Sequence, residues 1–95
     1  MKIKVEKKSN NRPTETDSYV GSRIRDRRIM MGLSQQDIAD LIGVTYQQAH
    51  KYERGINRIS ASRLYDIARV LQVKVSYFFD EIENGTEHNE AAPTQ

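Results

Sequence analysis

Apolar residues in the middle of the chain recur every three or four positions, the spacing of one face of an α-helix. They fall into five runs, and each run begins beside a residue type that caps helix N-termini. The residues in that position are Asp17 or Ser18, Ser34, Thr45, Ser60 and Ser76. Gly32, Gly43 and Gly55 end the first three runs, where a left-handed residue commonly follows a helix. The pattern predicts an all-α fold of five helices, the last from Tyr77 to Glu83.

The two ends of the chain lack this periodicity. Residues 1–17 and 84–95 are rich in polar residues, so we expect a flexible arm and a flexible tail around a helical domain at 18–83. No segment has the roughly 20 apolar residues that cross a bilayer, and the N-terminus has no apolar signal core. These features predict a cytoplasmic protein that does not engage a membrane.

Charge is distributed unevenly along the chain. Up to Arg58 there are 12 Lys and Arg against 7 Asp and Glu, whereas the remainder has 3 against 6. A basic half beside an acidic half favours one face for a polyanion and another that is kept away from it.

The second and third predicted helices are joined by only three residues, Gly43-Val44-Thr45, which forces a sharp turn between them. Ala39 is small where the two helices must cross, and Gly43 tolerates a positive φ. Apolar residues occupy the positions that hold such a pair together: Ile38, Ile42, Val44, Ala49 and Tyr52. The spacing over residues 35–54 therefore predicts a helix-turn-helix.

Over roughly residues 18–79 the sequence resembles the XRE/Cro–repressor type of helix-turn-helix regulators. The matching features are Arg28, Gly32-Leu33-Ser34-Gln35, Ile38-Ala39, Gly43-Val44-Thr45, Tyr52-Glu53-x-Gly55 and Leu64-x-x-Ile67-Ala68-x-x-Leu71. Ile59 departs from the pattern, because many members have proline at that position. The resemblance implies a five-helix Cro/repressor-like domain that binds double-stranded DNA sequence-specifically and acts as a repressor or autoregulator.

The outward face of the third helix is the predicted reading surface. With Ala49 and Tyr52 packed inward, helical geometry directs five side chains outward: Tyr46, Gln47, His50, Lys51 and Arg54. The resemblance implies that this helix enters the major groove and contacts bases through Tyr46, Gln47, Gln48 and Lys51. Two alternatives stay open, since the glutamines of a generic helix are simply solvated and Gln48 fits a capping box with Thr45.

A second set of residues is expected to contact DNA phosphates and fix the register of binding. This set consists of Arg28, Gln35, Thr45, Asn57 and Arg58. The resemblance also implies an ion pair between Arg28 and Glu53. Two readings of it remain open: a purely structural bridge, or a bridge that leaves part of the guanidinium for a phosphate.

The last predicted helix has more apolar area than its own packing requires. We expect a homodimer that reads a palindromic operator, with an interface drawn from Leu71, Val75, Tyr77, Phe78, Phe79 and Ile82. The alternative is that Phe78 and Ile82 only close the small core.

Other kinds of function find little support in the residues. The chain has no cysteine, its two histidines share no plausible site, and its five glycines are scattered singly. We therefore predict no enzymatic activity, no metal, no cofactor and no small-molecule ligand. The rival prediction is an antitoxin or another protein-interaction module on the same fold.

Overall fold

The computed structural model describes residues 14–80 and residue 82, and in that part of the chain it contains helices but no strands. The elements are α1 (Glu15–Met30), α2 (Gln35–Ile42), α3 (Tyr46–Arg54), α4 (Ala61–Leu71) and a 3₁₀ helix (Val75–Phe79). The all-α prediction is confirmed. None of the described helices has the length and apolar character needed to cross a bilayer.

The predicted fifth helix differs from expectation at its start. The segment begins as a 3₁₀ helix at Val75, and the backbone is helical again at Asp80 and Ile82. Ser76, the expected cap, lies inside this turn, and Lys74 precedes it without a capping hydrogen bond. Lysine has no side-chain acceptor, so the tighter turn begins without the cap that the α-helices have.

The first helix begins earlier than predicted. The Thr14 hydroxyl accepts a hydrogen bond from the Asp17 N–H, and the Asp17 carboxylate accepts one from the Thr14 N–H. Asp17, expected as the cap itself, is thus the third residue of α1 in a capping box. Residues 14–17 belong to this helix start and not to a flexible arm. The rest of the predicted arm and the whole predicted tail, 84–95, lie outside the described residues.

The turn between α2 and α3 has the predicted form. Ser34 and Asp37 form a second capping box at the start of α2, and Gly43 ends that helix with a φ of 78°. The Thr45 hydroxyl caps α3 by accepting from the Gln48 N–H at 3.0 Å. The amide of Gln48 makes no return bond to Thr45, so the predicted capping box is only half formed.

The core lies where α1, α2, α3, α4 and the 3₁₀ helix meet. Ten apolar side chains are buried there: Val20, Ile24, Ile38, Ala39, Ile42, Ala49, Ile67, Ala68, Leu71 and Phe78. Leu71 and Phe78 have no exposed surface at all. Their assignment to a dimer interface is therefore wrong, because a side chain enclosed by its own chain has no area left for a partner.

Candidate nucleic-acid interface

One side of α3 packs on the core and the opposite side faces solvent. Ala49 and Glu53 are buried, whereas Tyr46, Gln47, Lys51 and Arg54 are exposed. The exposed face presents an amide, an ammonium and a guanidinium, and such groups can pair with base edges and phosphates. This is the face that helical spacing predicted.

Two residues of α3 singled out above are half-buried: Gln48, predicted as a base contact, and His50, predicted to face outward. Gln48 lies at the edge of the exposed face and its side chain makes no hydrogen bond within the described part of the chain. His50 leans towards α2, and its ring stacks against that of Tyr46 with centroids 6.3 Å apart. The sequence pattern placed His50 outward but could not show the contact with α2.

Arg28 and Glu53 form an ion pair on the inner side of α3. Nε and Nη2 of Arg28 donate to the two carboxylate oxygens of Glu53 at 2.6 and 3.1 Å, and Nη1 donates to the Leu33 carbonyl at 2.7 Å. The two side chains are only 10% and 2% exposed. All three guanidinium nitrogens are engaged inside the chain, so the bridge connects α1 to α3 and to the loop before α2.

The ion pair establishes the structural role of Arg28. A guanidinium has five N–H donors and these contacts use three of them, but the side chain is only 10% exposed, so little of it is left for a phosphate. The geometry thus supports the structural bridge, and a phosphate contact by Arg28 stays a prediction.

Gln35 extends this network from α2. Its Nε2 donates to a Glu53 oxygen at 3.0 Å, and its Oε1 lies 3.3 Å from Nδ1 of His50. The side chain is thus occupied within the chain, whereas the backbone N–H of Gln35, in the first turn of α2, has no intrahelical acceptor. No sequence signal indicated the contact with His50, because it joins two helices.

The remaining expected phosphate contacts lie at the surface around the ends of α3. Thr45 is exposed, Asn57 is half-buried, and the side chain of Arg58 is 51% exposed. Arg58 donates from Nε to the Asp17 carboxylate at 3.3 Å, which brings the start of α1 beside the loop that follows α3. An ion pair whose guanidinium is half exposed contributes little to stability.

The expected dimer residues other than Leu71 and Phe78 are half-buried: Val75, Tyr77, Phe79 and Ile82. Arg23 covers part of Tyr77, with its guanidinium carbon 3.9 Å from the ring centroid and with two donated bonds to the Tyr77 carbonyl. Apolar side chains elsewhere are more exposed, including those of Met30 at 68% and Leu41 at 59%. Leu41 is an exposed apolar residue on the polar side of α2, and the sequence pattern assigned it to no site.

No group of three or more histidine, aspartate or glutamate side chains within the described ranges 14–80 and 82 is arranged to hold a metal ion. His50 and the carboxylate of Glu53 are instead engaged in hydrogen bonds with Gln35 and Arg28.

Comparison with known proteins identifies the family. The family model described as helix-turn-helix matches residues 24–78, which is more than half of the chain and includes α2, α3 and α4. The chain belongs to the XRE-type helix-turn-helix family. Its relatives carry the name of regulators, as in an "uncharacterized transcriptional regulator in ATPase CF(0) region" of Rhodospirillum rubrum, 56% identical over 69 residues.

The helix-turn-helix chain is shorter than these relatives. The match covers 73% of the chain and 64% of the Rhodospirillum rubrum protein, and 74% of the chain and 50% of a regulator from Sinorhizobium medicae. The chain thus spans about half to two thirds of the curated relatives that it matches.

Solved structures show the same helical arrangement. The restriction-modification controller protein C.AhdI of Aeromonas hydrophila matches 70% of this chain and all of its own, with a TM-score of 0.66 and 27% identity. The biofilm regulator SinR, solved in complex with DNA, matches 62% of this chain and 95% of its own, with a TM-score of 0.58 and 28% identity.

Proposed function

We propose that this helix-turn-helix chain is a sequence-specific regulator of transcription that reads double-stranded DNA in the major groove with α3. The observation that carries the proposal is the exposed face of α3, with Gln47 and Lys51 at its centre and the opposite face fixed in the core. The names of the relatives and the DNA complex of SinR support it.

The chemistry of the exposed side chains suggests what each would contact. A glutamine amide in the position of Gln47 pairs bidentately with adenine N6 and N7, and an ammonium such as that of Lys51 suits guanine O6 and N7. The ring of Tyr46 suits a thymine methyl, and the half-buried Gln48 adds an amide at the edge of the same surface. Thr45, Asn57, Arg58 and the N–H of Gln35 supply phosphate contacts that are independent of sequence.

A single α3 spans only a few base pairs, too few to define one site among the competing sites of a genome. We therefore propose that the chain acts as a homodimer on a palindromic operator in the cytoplasm, as a repressor or autoregulator. Val75, Tyr77, Phe79 and Ile82 are the apolar residues of the predicted set that keep some exposed area.

A protein-interaction module such as an antitoxin is a second candidate. A protein partner would cover exposed apolar side chains such as those of Met30, Leu41 and Tyr65, which lie on α1, α2 and α4.

Selection of sites from a pool of random duplexes by the purified chain tests the proposal. We expect a two-fold symmetric consensus whose half-sites are about 10 base pairs apart. Gln47→Ala serves as the matched variant, and it should select a consensus relaxed at one position of each half-site. A pool that shows no enrichment would contradict DNA reading and would favour the protein-interaction module.

A further inference from the structure

We infer that His50 is a further DNA-contacting residue of α3, and that its protonated imidazole donates a hydrogen bond from Nε2 to a backbone phosphate. The inference rests on the proposed function, because it requires the exposed face of α3 to meet DNA. It adds a residue to the predicted contacts and makes the affinity for DNA depend on pH.

The first step is the orientation of the Gln35 amide. Glu53 is paired with Arg28 and its carboxylate oxygens act only as acceptors, so Gln35 must present its NH₂ group to Glu53. The amide oxygen of Gln35 then faces Nδ1 of His50 at 3.3 Å. Since that oxygen can only accept, Nδ1 is the nitrogen that holds a proton in both charge states of the ring.

The second step concerns the other ring nitrogen. With Nδ1 protonated, Nε2 has a lone pair in the neutral ring and an N–H in the charged ring. Nε2 makes no hydrogen bond within the described part of the chain, and it is not enclosed by the fold. The outward edge of His50 is therefore an acceptor that repels a phosphate oxygen when neutral, and a charged donor to it when protonated.

The position of His50 on α3 favours a phosphate over a base. Gln47, Lys51 and Arg54 are exposed along the middle of the face, whereas His50 lies half-buried on the side that adjoins α2. A helix in the major groove directs its central residues to base edges and its flanks to the phosphates along the groove. A flanking donor held by Gln35 is thus directed towards the DNA backbone.

Other charged and titratable groups lie on the elements that pack near His50. On α3 these are Lys51, Glu53 and Arg54, together with the stacked ring of Tyr46. From α1, the charge of Arg28 is paired with Glu53.

From α2, the contacting group is the neutral amide of Gln35, and the first acid of that helix is Asp37. Hydrogen bonds from the Ser34 backbone and side chain lower the pKa of Asp37 below its ordinary value. Asp37 therefore stays ionised between about pH 5 and 8, where an imidazole ordinarily changes charge. A phosphate oxygen beside Nε2 favours the charged imidazole over the neutral one, so the proposed contact makes the affinity for DNA rise as pH falls.

Binding of the full chain to a short duplex selected from the random pool, and to a duplex of scrambled sequence, tests the inference. Fluorescence anisotropy at about pH 8 and about pH 5.5 should show affinity that is about three- to tenfold higher at the lower pH on both duplexes. The slope of log affinity against log salt should be steeper by about 0.9 at the lower pH, the value for one added phosphate contact.

Two variants isolate the residue. His50→Gln keeps a neutral donor for Gln35 and should lose both the rise in affinity and the change of slope. His88→Gln removes the other histidine of the chain and should behave as the unchanged protein. If His50→Gln fails to fold by circular dichroism, an NMR titration of the unchanged chain decides, because the His50 ring should stay charged to higher pH in the DNA complex.

The outcomes separate this inference from the proposed function. DNA binding with an equal pH response in His50→Gln would overturn the role of His50 and leave DNA reading intact. A response confined to the selected duplex would overturn the phosphate assignment in favour of a base contact. Absence of binding to any duplex at either pH would overturn the proposed function and this inference together.

Discussion

Gly21 of α1 lies directly against the carbonyl oxygen of Tyr52 near the end of α3. A β carbon at position 21 would lie 2.5 Å from that oxygen and 2.6 Å from the carbonyl oxygen of Glu53. Gly55, which follows α3, approaches α1 in the same way, since a β carbon added at position 55 would lie 2.6 Å from the Cα of Ser18. The backbones of α1 and α3 therefore approach each other at Gly21 and Gly55 without intervening side chains.

Gly21→Ala should destabilise the fold, although alanine normally stabilises a helix by about 1 kcal/mol relative to glycine. We expect a loss of about 1–3 kcal/mol in the free energy of unfolding, because the added methyl meets backbone atoms that cannot rotate away. Urea denaturation measures it. Ser22→Ala, at an exposed position of the same helix, should change the value by less than about 0.5 kcal/mol. A Gly21→Ala protein more stable than the parent would contradict the close approach.

Arg28→Met should cost about 3–5 kcal/mol in the free energy of unfolding, because it leaves the Glu53 carboxylate buried without its partner. The double variant Arg28→Met with Glu53→Leu should recover about half of that loss or more, since an apolar pair of similar volume removes the unpaired charge. Denaturant titration of the two proteins gives the comparison. Equal stability of the single and double variants would show that the ion pair is not the source of the cost.

Gln47→Ala should weaken binding to the preferred duplex by about 1–3 kcal/mol and relax selection at one base pair of each half-site. The fold should be unchanged, because Gln47 is exposed and lies opposite the buried face of α3. Competition binding against single-base variants of the site measures the relaxation. An equal loss on specific and random DNA would assign Gln47 to phosphate contact instead.

Arg58→Ala should weaken binding to all duplexes about equally and reduce the slope of log affinity against log salt by about one unit. Thermal unfolding of the variant checks that loss of the ion pair between Arg58 and Asp17 leaves the fold intact. Lys74→Ala is the matched control, since it removes an exposed cation from the acidic half of the chain. A changed base preference with an unchanged slope would refute the phosphate assignment.

Val75→Glu and Ile82→Glu should each produce a folded monomer with sharply reduced affinity for a symmetric operator, while binding to one half-site keeps its weak value. A charge at a half-buried position of the predicted dimer interface opposes association, whereas the fully buried Leu71 and Phe78 are unchanged. Sedimentation and thermal unfolding measure assembly and folding. Met30→Glu is the control, because it places the same charge at an exposed apolar position outside the predicted dimer interface and should leave association unchanged. A monomeric parent chain with full operator affinity would end the dimer proposal.

Much of the fold follows from local sequence. Apolar spacing gives the helices and the outward face of α3, and Ser34, Gly43 and Thr45 give the sharp turn, because caps and left-handed turns involve neighbouring residues. The start of α1 is equally local but was misplaced, since Thr14 and Asp17 are both good caps and only the reciprocal bonds of the capping box distinguish them. A family pattern added the pairing of Arg28 with Glu53.

Only the tertiary structure decided which residues distant in sequence contact one another. It enclosed Leu71 and Phe78 in the core, used every guanidinium nitrogen of Arg28, and joined Gln35 to His50 across two helices. These outcomes depend on the angle and separation at which helices cross, which is set by the packing of side chains remote in sequence. A periodic pattern tells which face of a helix is apolar, but it does not tell which groups of the neighbouring helix that face will meet.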